Sequence, residues 1–280
     1  MRTSSRLAPV AMLTLAACLT ASAQIKRDTF AYAVTARPVI FVRNQYGRIT
    51  VTPSSGNRVV VTAVHSGAVE IHAEQVENRV EFATGSQMSS GSKADNVDYQ
   101  VLVPTDAFVI LSTAAGSLSA ENLEGDLVFE GTTASVDAHS IRNAHVHVKT
   151  LSGPVSLRQI SGGRVEATTS SGDVLLQDVS GSDVEVHSGS GQIRYLGAPG
   201  LGVFKLVTGS GNIDISVPSL SLAQFKARSV KGKVDGPLPV AQPPALGFSG
   251  GQGNSLLRKA AAAFELRSFR GNISVHEGFK

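Results

Sequence analysis

From Ala144 onward apolar and polar residues alternate one by one in short runs, and the runs themselves recur. Segments starting at Ala144, Gly163, Ser182 and Gly202 read AHVHVKTLSGPVSLRQISG, GRVEATTSSGDVLLQDVSG, SDVEVHSGSGQIRYLGAPGL and GVFKLVTGSGNIDISVPSLSL. The period is about nineteen to twenty-one residues, and such fixed self-similarity is the signature of a repeat architecture. Val146, Val165, Val184 and Phe204 hold one equivalent position, and Val148, Ala167, Val186 and Leu206 the next inward one. On the second run the columns are Val155, Val174, Ile193, Ile213 and Leu157, Leu176, Tyr195, Ile215. This is the period of a half-buried strand, not the three-and-four spacing of a helix.

Ser-Gly pairs at Ser152-Gly153, Ser161-Gly162, Ser171-Gly172, Ser180-Gly181 and Ser190-Gly191 divide each repeat into two strands and two turns. Gly supplies the positive φ of a tight corner, and Ser can bond the turn backbone. One such unit cannot bury its apolar face alone. Stacking equivalent strands in parallel, ~4.8 Å apart, joins the columns into a continuous core. A slip of one residue would turn every column outward, so the alternation fixes the register. The fold class is therefore an all-β, single-domain parallel β-solenoid, with two strands per coil of about 19 residues and an irregular N-terminal β cap region.

Earlier copies start at Phe108 and Asp126, and later ones at Gln224 and Phe264. Eight coils would make a rod of about 35–40 Å. Ile40 to Val51 and Arg58 to Ala63 read as two further coils. Ala68 to Ala83 and Val97 to Val103 alternate but miss the period, as a hairpin or cap would. The solenoid domain is expected over 28–280, with 84–96 and 236–253 as irregular loops rich in Gly, Ser or Pro. Thr133-Ala134-Ser135 lacks the turn Gly, which predicts a looser corner. The strand Asn272 to Val275 lies close to Lys280, which predicts an uncovered sheet end.

Residues 1–23 read as a secretory leader. Arg2 and Arg6 precede a short apolar stretch, and Ala21-Ser22-Ala23 before Gln24 is a small-x-small cleavage site. Leu15-Ala16-Ala17-Cys18 also fits a lipobox, in which Cys18 would be lipidated. Both processing readings stand, and Cys18 is the only cysteine. The leader changes the charge picture. The chain has 25 Lys and Arg against 22 Asp and Glu. Arg2 and Arg6 are two of those basic residues, so the mature part is close to neutral. That balance gives no reason to expect a nucleic-acid partner, and a membrane partner only through lipidated Cys18.

Asn44 to Val51 (NQYGRITV), Val97 to Pro104 (VDYQVLVP) and the recurring T/S-x-S/N-G-x-[IV] units resemble a bacterial β-strand-repeat family labelled putative adhesins. The resemblance runs from Thr29 to the C-terminus. It implies an exported or envelope-attached protein, and it brings no catalytic residues with it.

Candidate chemistry is sparse. His147, Glu166, Glu185 and Lys205 form an outward row, one per coil, which reads as a solvated face or as a surface binding strip. His145 and His147 share a strand face, but His187 lies two coils away, about 10 Å along the stack, too far for one metal shell. Asp173, Asp178 and Asp183 are the acidic set a polysaccharide-active β-helix enzyme or a Ca²⁺ site would use. Their equivalents on the next coil include Gln192 and Gly197, so the cluster does not repeat. The expectation is a non-catalytic structural, adhesive or scaffolding protein of the periplasm or cell surface, without cofactors. Its expected partners are an envelope protein, a glycan, or a copy of itself met through the solenoid ends. A polysaccharide-active enzyme and a lipid-anchored envelope-stress sensor are the alternatives.

Overall fold

The computed structural model describes residues 25–66, 69–85, 96–220, 223–236 and 262–278. Cys18, Ala23, Gln24 and all but the margins of the two loop segments lie outside these residues. The described chain forms 21 strands. The first seven are β1 (Ile25–Ala33), β2 (Val39–Pro53), β3 (Arg58–Ser66), β4 (Glu70–Val76), β5 (Arg79–Gly85), β6 (Val97–Val103) and β7 (Phe108–Glu121). Strand pairs follow: β8 (Leu127–Gly131) and β9 (Ser135–Arg142), β10 (Val146–Thr150) and β11 (Val155–Ser161), β12 (Arg164–Thr169) and β13 (Val174–Gln177). The last are β14 (Asp183–Ser188) and β15 (Ile193–Leu196), β16 (Val203–Thr208) and β17 (Ile213–Val217), β18 (Ala223–Ser229) and β19 (Val234–Asp235), β20 (Ala262–Ser268) and β21 (Ile273–Glu277).

Each pair is one rung of a parallel solenoid, with its first strand in one sheet and its second in the facing sheet. β2 and β7 are long enough to serve both sheets. They bend at Gly47 and Gly116, which lie opposite each other in register. The expected columns are in place: Val146 pairs with Val165, Val165 with Val184, and Val184 with Phe204. Val155, Val174, Ile193 and Ile213 do the same across the core. All are buried, and together they make one apolar interior.

One expectation about the N-terminal third is corrected, and the hairpin expected near Ala68 to Ala83 is found. Arg58 to Ala63 is not a coil, since β3 runs antiparallel to both β1 and β6. Glu70 to Gly85 is an antiparallel hairpin, β4–β5, and β5 joins β2 in parallel. The antiparallel strands close this end around Phe82, which Phe30 and Tyr32 meet edge-on at 5.6 and 5.9 Å.

The other end departs from chain order. β16 pairs with β20, and β20 pairs with β18, so the last repeat inserts between the two before it. β21 likewise lies between β17 and β19. Among the described residues the end rung is therefore β18–β19, and Asn272 to Val275 is internal, contrary to the expectation from its nearness to Lys280. The physical reason is visible in the repeats. Phe264, Leu266, Ile273 and Val275 fill all four inward positions of the inserted rung. The displaced rung offers only Phe225, Ala227 and Val234. The richer apolar set takes the position buried on both sides. The insertion also sets Glu265 between Lys205 and Lys226, where sequential stacking would set the two lysines side by side.

The corners after the first strand of each rung rest on close approach rather than on positive φ, whereas Gly162 and Gly197 at the opposite corner have φ of 87° and 130°. A Cβ on Gly172 would lie 2.0 Å from the carbonyl oxygen of Gly153, and one on Gly153 would lie 1.7 Å from that of Ala134. Neither residue has a left-handed backbone. Beside this glycine column runs a column of buried hydroxyls. Thr169 Oγ1 accepts from the Gly172 N–H at 2.9 Å, and Thr150, Ser188, Thr208 and Ser268 do the same for Gly153, Gly191, Gly211 and Gly271. Thr208 and Ser268 also donate to the glycine carbonyl one rung back. Each hydroxyl thus satisfies backbone groups that the corner would otherwise leave unpaired.

Candidate binding face

The outward side of the first sheet carries the row expected from sequence. His147, Glu166, Glu185 and Lys205 stand directly side by side on β10, β12, β14 and β16. The structure lengthens the row with Glu265 and Lys226, which follow Lys205 because of the rung order. That extension escaped the sequence reading, although the alternation of sign was there to find it.

The charges are largely spent on one another. His147 Nδ1 lies 3.4 Å from Glu166. Arg164 reaches Asp183 at 3.4 Å and Glu185 at 3.6 Å. Glu185 accepts from Lys205 Nζ at 2.6 Å and meets His187 Nε2 at 2.8 Å. Arg267 and Lys226 both engage Glu265. The Glu166–Glu185 contact is mildly repulsive in isolation, and these cations surround it. The hydrogen bonds from His187 and then Lys205 hold the Glu185 carboxyl down to about 2.

The other candidates are not brought together. His145 turns to Asp126, at 3.2 Å, and His187 turns to Glu185. Asp173 accepts from the Gln192 N–H at 2.8 Å, a link between rungs. Asp183 faces Arg164, and Asp178 sits at a left-handed corner with φ 52°. A surface groove on the second sheet is lined by Asp137, Asp173, Leu175 and Arg194. Its two carboxylates are both engaged, since Arg158 donates to both oxygens of Asp137 at 3.0 and 2.7 Å. Among the described residues no three His, Cys, Asp or Glu side chains converge as a metal site would require.

Burial raises the hydroxyls of Tyr99 and Tyr195 above the ordinary tyrosine range, and Asp178 adds to the effect at Tyr195. Tyr195 donates to the Val179 carbonyl at 2.9 Å and packs edge-on against Phe204 and Phe264. It is a core residue that ties a corner to the interior.

Comparison with known proteins agrees with this architecture. The family described as Toastrack DUF4097 matches residues 40–276. A putative adhesin from Bacteroides fragilis shares the fold at a TM-score of 0.52 and 14% identity, over 90% of this chain and 97% of that one. A putative adhesin from Parabacteroides distasonis aligns at 13% identity and a TM-score of 0.38, over 90% and 97% of the two chains. A putative lipid binding protein from the same organism aligns at 9% identity and a TM-score of 0.33, with the same coverage. No curated protein sequence matches the chain.

Proposed function

This chain belongs to the Toastrack DUF4097 family, and from that premise we propose that it is an exported, non-catalytic protein of the cell envelope whose flat sheet faces bind another envelope component. One observation carries the reading. The outward acids from β12 to β20 are engaged by neighbouring bases, and the carboxylates of the second-sheet groove are held by Arg158 and a backbone N–H. Glycan hydrolysis needs two carboxyl groups free to exchange protons and flank one bond. Here the carboxylates hold rungs together, which suits a rigid display surface. The adhesin name of the Bacteroides fragilis neighbour accords with a binding role. The partner class we favour is an envelope protein or glycan laid along the His147–Lys205 row.

The leader fits the same reading. Cleavage after Ala23 would leave β1 whole, because that strand starts at Ile25. Lipidation at Cys18 would tether the β1 end and point β18–β19 away from the membrane. Intact mass and fractionation of the full chain in a bacterial host test the proposal. The expected result is a mature chain in the periplasm, or a diacylated one in the membrane. A cytoplasmic chain that keeps Met1 would sink it.

A further inference from the structure

The partly buried apolar residues packed on the core all lie at the two ends of the rod: Phe30, Tyr32, Val69, Ile71 and Ala73 at one, and Leu220, Phe225 and Ala227 at the other. The first sheet finishes at β4 on one side and at β18 on the other, each paired on a single edge among the described residues. The two edges carry opposite charge. β4 presents Glu70 and Glu74, which enter no ion pair among the described residues. β18 presents Lys226 and Arg228, of which, among the described residues, Arg228 has none and Lys226 only a 3.9 Å contact with Glu265. Between these ends the acids of the row are paired. The two ends of one sheet thus pair unmatched charge of opposite sign with a half-covered apolar row.

The strand directions fit as well. β4 is antiparallel to β5, which is parallel to every rung as far as β18. Stacked head to tail, β18 of one copy would therefore run antiparallel to β4 of the next and continue the sheet. The isologous alternative, β18 on β18, would bring Lys226 and Arg228 of both copies together.

We propose that this protein associates with itself head to tail, β18 of one copy pairing with β4 of another. Arg228 stands opposite Glu70, and Lys226 stands opposite His72 between Glu70 and Glu74. Phe225 and Ala227 meet Ala73 and Ile71 on the inward side. Such a contact does not close on itself, so it builds linear oligomers. Because it needs no other envelope component, its failure would leave the function proposed above standing, and the reverse holds too.

The test is sedimentation equilibrium of the purified mature chain over a concentration series, with two double variants, K226E/R228E and E70K/E74K. The expected result is a mass that grows with concentration in the wild type and association at least tenfold weaker in each variant alone. An equimolar mixture of the two should associate again, because each variant restores the complement of the other. A strict monomer at every concentration would overturn the proposal and leave the ends to another occupant. Association that both variants retain would overturn it as well, since the contact would then lie elsewhere. Circular dichroism of each variant, unchanged from wild type, separates loss of contact from loss of fold.

Discussion

Ala134 fills the space that a side chain on Gly131 would need: a Cβ on Gly131 would lie 3.1 Å from the Cβ of Ala134. In the rungs that follow, the hydroxyl residue comes first and the glycine three positions later. Here glycine stands in place of the hydroxyl residue, in register with Thr150 and Thr113, and alanine stands in place of the corner glycine. The corner is not loose, contrary to the expectation from its missing glycine, since Ala134 is fully buried.

The pair should therefore be energetically coupled. Gly131→Thr alone overpacks the corner and is expected to cost about 2–3 kcal/mol. Combined with Ala134→Gly it rebuilds the usual corner, and the double variant should recover at least about 1 kcal/mol of that loss. A thermal or urea unfolding cycle measures the coupling. Strictly additive effects would mean that the two residues do not compensate.

The hydroxyl column makes a second prediction. Thr169→Val keeps the shape but strips the Gly172 N–H of its acceptor, at a cost of about 1–3 kcal/mol. Thr169→Ser should restore most of it. Gly172→Ala is expected to be worse than Thr169→Val, because its Cβ would meet the Gly153 carbonyl at 2.0 Å. Unfolding midpoints of the three variants rank them, and a Gly172→Ala protein as stable as wild type would refute the close-approach account.

The inward columns were legible because a two-residue period admits one register, and Val146, Val165, Val184 and Phe204 sit where alternation placed them. The reason for the glycines was not legible. A Ser-Gly pair suggests a turn with positive φ, which Gly162 has, whereas at Gly153 and Gly172 the constraint comes from a carbonyl nineteen residues away in the chain. The rung order was hidden for a related reason: repeats show which strands are equivalent, not which are neighbours. The sign alternation of Lys205, Glu265 and Lys226 and the fuller apolar set of the last repeat hinted at it. The charged row was found, but its being self-paired depended on side-chain reach from Arg164 and His187.

Glu185 gives a pH dependence with a defined sign. Its folded carboxyl is held at about 2, against an unperturbed 4.5. Its stabilising contribution is thus complete above pH 4.5 and is lost as pH falls toward 2. Because the row is solvent-facing, that contribution is about 1 kcal/mol or less. Glu185→Gln should flatten the stability-versus-pH curve between those limits and change little at pH 2. A loss of equal size at pH 2 and pH 7 would point to packing instead.

Tyr99 and Tyr195 set the alkaline side. Their hydroxyls are raised by burial, so stability from this source is complete below pH 10 and declines as pH rises beyond it. Tyr195→Phe leaves the Val179 carbonyl without its partner and should cost about 1–3 kcal/mol. If Tyr99 and Tyr195 ionise in the folded protein within the ordinary tyrosine range, the burial assigned to them is wrong.

The rung order itself can be tested with two phenylalanines. Phe264 stacks between Phe204, at 4.5 Å, and Phe225, at 5.1 Å, and is buried. Among the described residues Phe225 has a ring on one side only, and it remains half-covered. Phe264→Ala should therefore cost about 3–5 kcal/mol, and Phe225→Ala distinctly less. Stacking in chain order would make the opposite forecast, since Phe225 would then be the sandwiched ring and Phe264 the terminal one. Urea midpoints of the two variants decide between the orders, and a larger loss at Phe225 would require β18, not β20, to lie against β16.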